Sequence, residues 1–104
     1  MADLSVANTI LAQLGGRRFT AMTGAYGLSG GSNALGFRLP ARMAKKKITG
    51  VRITLDPNDT YTVTFLAQRG SPTFEVYTVA EHSMIYNDQL EDIFASETGL
   101  ATRL

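Results

Sequence analysis

The chain has no cysteine and a single histidine, His82. The first absence removes disulfides, thiolate nucleophiles and cysteine-built zinc or iron–sulfur sites. With one histidine, a zinc ion would have to be held mainly by carboxylates, an uncommon ligand set. No apolar run approaches the roughly 18 residues that a membrane-spanning helix needs. The opening Met1-Ala2-Asp3-Leu4 has neither the basic nor the apolar stretch of a secretory signal. A cytoplasmic protein is expected, in a host cell's cytoplasm if delivered there, with no membrane partner. Disorder is also excluded, because 44% hydrophobic residues and a net charge of +1 are the reverse of its low-hydrophobicity, high-charge signature.

Negative charge is scarce in one half. Residues 1–52 hold eight cations (Arg17, Arg18, Arg38, Arg42, Lys45, Lys46, Lys47 and Arg52) against the lone anion Asp3, a balance of +7. Residues 53–104 hold eight anions (Asp56, Asp59, Glu75, Glu81, Asp88, Glu91, Asp92 and Glu97) against Arg69 and Arg103, a balance of −6. Asymmetry of this kind points to a charged partner. The alternative is that folding interleaves the halves, so that opposite charges sit side by side.

At 104 residues the chain has room for one domain, 1–104, and one core. In the first segment Val6, Ile10 and Leu14 recur every four residues beside Ala7 and Leu11, which predicts a helix ending at Gly15-Gly16. Alternation of Phe19, Ala21 and Thr23 predicts a first strand within Arg17–Ala25, and the glycines of Gly24–Asn33 predict a loop with Tyr26 at its tip. Leu35, Phe37 and Leu39 alternate in a second strand that ends at Pro40. Val51, Ile53 and Leu55 face Tyr61, Val63 and Phe65 across Asp56-Pro57-Asn58-Asp59, the pattern of a β-hairpin. Thr73–Glu81 carries apolar residues on both faces and reads as a fifth, central strand. Asn87 is the expected cap of a last helix, with Leu90, Ile93 and Phe94 as its buried stripe and Gly99 as its end. The expected fold class is α+β, in two layers: an antiparallel sheet of about five strands with an N-terminal and a C-terminal helix.

Motifs for catalysis are sparse. His82 has no serine marked as its activated partner, and no G-x-S-x-G elbow is present; it reads as a surface or edge-strand residue. Asp88, Glu91 and Asp92 share a helical face that could take a divalent cation, but an ordinary solvated face fits as well. The glycine-rich Gly24–Gly31 lacks the lysine of a P-loop. No catalytic residue, metal site, cofactor or small-molecule substrate is therefore expected. The strongest candidate is the basic cluster of Arg38, Arg42, Lys45, Lys46, Lys47 and Arg52, since a dense patch of this kind attracts backbone phosphates through counterion release. The same cluster could be only a well-solvated connection that guards an edge strand.

The segment Thr9-Ile10-Leu11-Ala12-Gln13-Leu14-Gly15-Gly16-Arg17-Arg18-Phe19-Thr20-Ala21-Met22-Thr23-Gly24-Ala25, the run Leu35-Gly36-Phe37-Arg38-Leu39-Pro40 and the ending Gln89–Leu100 are similar to those of small uncharacterised proteins of phages and mobile genetic elements. The resemblance implies an accessory phage or plasmid protein and brings no catalytic motif. The first expectation is a non-enzymatic protein that binds nucleic acid or a host nucleoprotein complex, within which antagonism of host defence is one role. The alternatives are a self-assembling or virion-associated subunit, a homo-oligomer joined through its opposite charges, and more distantly a metal-dependent hydrolase using Asp88 and Asp92.

Overall fold

A computed structural model describes residues 5–40, 48–68 and 76–100. Helix α1 spans Ser5–Leu14 and buries Ala7, Ile10 and Leu14, the four-residue stripe expected of it. It stops where Gly15 and Gly16 take positive φ and return their amides to the Leu11 carbonyl.

The next segment departs from expectation. Arg17–Thr23 is a second helix, α2, and not a strand. Phe19 and Thr23 fit a period of two, but they are also four apart. It is this pair that is buried, while Ala21 is exposed. The Thr23 hydroxyl donates to the Phe19 carbonyl at 2.8 Å. Gly24, left-handed at φ 75°, closes the helix with its N–H on the Thr20 carbonyl. A Cβ at Gly24 would come within 2.9 Å of the Pro40 ring, so packing and backbone both require glycine here.

The expected loop Gly24–Asn33 contains strand β1, Tyr26–Gly30. Its glycines misled because glycine is poor in regular strands. Here Gly27, at φ 62°, lies in a bulge of an exposed edge strand, where that freedom is useful. The remaining strands are β2 (Ala34–Arg38), β3 (Ile48–Leu55), β4 (Tyr61–Gln68) and β5 (Val76–Ile85). All neighbours are antiparallel, in the order β1-β2-β3-β4-β5. Strand β5 is thus an edge and not a centre. Val76 and Tyr77, part of the two-sided apolar pattern that suggested a central position, are exposed.

The β3–β4 hairpin forms as expected, with Ile53 opposite Val63. In its turn the Asp56 N–H bonds the Thr60 carbonyl at 2.8 Å, and Asp59 takes φ 66°. After β5 the chain makes a 3₁₀ turn, Asn87–Gln89, before helix α3, Leu90–Thr98. Asn87 is not the cap. The Gln89 side chain reaches back to accept the Tyr86 N–H at 2.9 Å, which satisfies a donor that a helix start would otherwise leave open.

The helices cover one face of the sheet. Phe19 of α2, Phe37 of β2 and Phe94 of α3 meet with ring centroids 4.9–6.0 Å apart, two of the three pairs edge-to-face. Ile10, Leu14, Val51, Ile53, Val63, Phe65 and Leu90 complete the core around them. The chain is an α+β protein of two layers, as expected of its sequence, with one helix more.

Candidate nucleic-acid interface

In a sheet with helices on one side, alternate residues of every strand point to the other. Phe37 and Val51 are cross-strand partners in the core, so their neighbours fall on the uncovered face. Arg38 stands opposite Gly50, and Gly36 opposite Arg52. The two arginines lie on one diagonal of this four-residue square and the two glycines on the other. Diagonal neighbours of this kind are about 7–8 Å apart. Both arginines are exposed, and neither forms an ion pair among the described residues.

Around this square the face is hollow. A depression of about 630 Å³ has Gly36 and Gly50 in its lining, with Arg38 and Arg52 beside them. Ser29, which pairs with Gly36, and the turn residues Ser32 and Asn33 form a polar rim. Leu66 and Val76 line it with apolar surface. Tyr26 is the cross-strand partner of Arg38 and so shares its face, with 51% of its surface exposed. Tyr61 and Phe37 are core, and Tyr77 is exposed on β5 opposite Ala67. The aromatic residue available beside the arginines is Tyr26. Its sequence signal was the tyrosine itself, set in a glycine-rich stretch that reads as a loop.

Of the six basic residues singled out in the sequence, Arg38 and Arg52 are brought together here. Arg42, Lys45, Lys46 and Lys47 lie outside the described residues. The connection that carries them leaves at Pro40 and re-enters at Ile48, next to the backbone bond from the Leu39 N–H to the Thr49 carbonyl. Both anchor points are therefore at the Arg38 end of the sheet.

The strand order also decides whether the charged halves mix within the sheet. Because each strand pairs with the one before it, the charged residues of β2 and β3 come from the basic half and that of β5 from the acidic half. One row across the open face runs Gly36, Arg52, Thr64, Glu81. Its cation is on β3 and its anion on β5, with Thr64 between them donating its hydroxyl to Glu81 at 3.1 Å. The sheet keeps the two signs on different strands.

The other candidates are dispersed. His82 lies on β5, on the helix side, its ring in a T-shaped contact with that of Phe65. Its Nε2 is 3.0 Å from a Glu97 carboxylate oxygen of α3, so it joins strand to helix. Asp88 belongs to the 3₁₀ turn and Asp92 to α3, both exposed, so they do not share one continuous α-helical turn. Among the described residues no three His, Asp or Glu side chains are grouped to hold a metal ion. Among them, too, no helix is long and apolar enough to cross a membrane. No family model matches the chain, and neither a curated protein nor a solved structure matches it.

Proposed function

We propose that the protein is a non-enzymatic binding module whose uncovered sheet face contacts nucleic acid, alone or within a nucleoprotein complex. The observation that carries this reading is the pair Arg38 and Arg52. They stand side by side on a face no helix covers and have no ion pair among the described residues. Two arginines on one diagonal, without an ion pair among the described residues, offer planar, fork-shaped donors suited to phosphate. The sequence between Pro40 and Ile48 holds four further cations, Arg42, Lys45, Lys46 and Lys47. The resemblance read in the sequence to proteins of phages and mobile elements implies an accessory role, and the role proposed here includes interference with a host nucleoprotein machine.

The test is a salt titration of binding to short nucleic acids, read by fluorescence anisotropy. The expected result is a linear fall of log affinity with log salt, because each neutralised phosphate releases counterions. Charge reversal at Lys45, Lys46 and Lys47 should weaken binding. Absence of binding at low salt overturns the reading.

Self-assembly is the second reading, and the segregation of charge across the sheet favours it. A basic β2–β3 side and an acidic β5–α3 side on one molecule can meet on neighbouring copies. Dissociation by salt in sedimentation velocity, without nucleic acid, would support this arrangement.

A further inference from the structure

Gly50 closes the register irregularity of β3 against β4, and Gly36 faces Ser29, which closes that of β1 against β2. Neither glycine takes positive φ. A Cβ on Gly36 would meet Ser29 Oγ at 3.4 Å and the Val51 carbonyl at 3.9 Å, and one on Gly50 would meet Leu66 Cβ at 3.7 Å. These are ordinary contacts, so neither position is glycine because the fold is tight there. Glycine within a strand weakens it, and it marks a bulge, a tight bend or a place where a ligand or another backbone comes close. Here two such glycines lie on one diagonal with an arginine opposite each, and the face above them is open.

We propose that this depression seats one unpaired nucleotide of a single-stranded nucleic acid, its base lying flat over Gly36 and Gly50 and its flanking phosphates held by Arg38 and Arg52. The proposal rests on the reading of this face as a nucleic-acid surface and names the substrate class. A volume of about 630 Å³ lies in the range of sites that take small organic groups. A duplex keeps its bases stacked and can offer no ring to a flat floor, whereas a single strand can splay one out. Leu66 and Val76 supply apolar contact for the ring, and Ser29 and Asn33 supply polar partners for its edge. Tyr26, exposed beside Arg38, gives the adjacent base a stacking surface, which single-strand binders use with little regard to sequence.

The experiment compares labelled single strands of DNA and of RNA, roughly 12 nucleotides long, with their duplexes, using the native protein, Gly50→Val and Gly36→Ala. Valine suits a strand, so Gly50→Val fills the floor and keeps the fold, which a thermal melt checks. Gly36→Ala makes the same test with a smaller group in case the larger one disturbs folding. The expected result is single-strand affinity about tenfold or more above duplex affinity, with a loss of about tenfold in Gly50→Val and a smaller loss in Gly36→Ala. The salt slope should stay the same, because the phosphate contacts remain. The DNA and RNA arms identify the strand. Duplex binding as tight as single-strand binding, or single-strand affinity unchanged in both variants, overturns the nucleotide seat while leaving the basic face standing. Absence of binding to every probe at low salt overturns both.

Discussion

The two faces of this sheet are made by alternate residues of the same strands, yet they are built to different ends. The covered face is filled with large apolar side chains: Phe37, Val51, Ile53, Val63 and Phe65 meet Ile10, Phe19 and Phe94 of the helices. The open face sets Gly36, Arg38, Gly50, Arg52 and Thr64 at the adjoining positions. One face is closed by complementary volume, where each methylene contributes to stability. The other is hollow and charged, and removes little surface from water. The difference teaches that the packing that holds the fold lies on one side of the sheet and the face proposed for recognition on the other, so that either can be altered with small effect on the other.

That separation can be broken from the covered side first. Phe94→Ala removes a ring that touches both Phe19 and Phe37. It should cost about 3–5 kcal/mol, read as a lower urea midpoint with an unchanged slope. Gly24→Ala should cost about 1–3 kcal/mol, since alanine must adopt a left-handed φ and displace the Pro40 ring. His82→Ala loses the bond to Glu97 and the contact with Phe65 and should cost about 1 kcal/mol in the same measurement. From the open side, Arg38→Ala with Arg52→Ala should leave stability within about 0.5 kcal/mol of native. The same double variant should make the salt dependence of nucleic-acid binding shallower by roughly 1.4–1.8 in log–log slope, the share of two phosphate contacts. A large loss of stability in the arginine variant would show that the two faces are not independent.

The elements that could be read from sequence are those with one interpretation. Val51-Arg52-Ile53 and Tyr61-Thr62-Val63 alternate on either side of a turn rich in Asp, Pro and Asn, and no helix fits that pattern. Segment 17–23 has two interpretations, because Phe19, Ala21 and Thr23 satisfy a period of two while Phe19 and Thr23 also satisfy a helix. Only the packing of Phe19 between Phe37 and Phe94, far away in the chain, selects the second. Strand β1 was hidden for another reason. An exposed edge strand needs no apolar alternation, so Gly27, Ser29 and Gly30 carry no signal of their own and pair because β2 lies beside them.

For the candidate site, Arg38 and Arg52 were visible as charges. Their shared diagonal was not, since it depends on the register of β2 against β3. The role of Gly36 and Gly50 was equally hidden. A strand glycine has meaning only once its neighbours show whether the space above it is filled.

The order of the strands also has a consequence for how the protein forms. Every pairing in the sheet joins a strand to its predecessor, so each is a hairpin-like closure of short range. Contacts of short range close quickly, and a sheet made only of them escapes the slow search of long-range β topologies. The basic strands leave the ribosome already in the order in which they bond, and the acidic strands add to their edge. Bringing Phe94 against Phe19 spans most of the chain. Of the ring contacts in the core it closes the longest loop, and so carries the largest closure entropy.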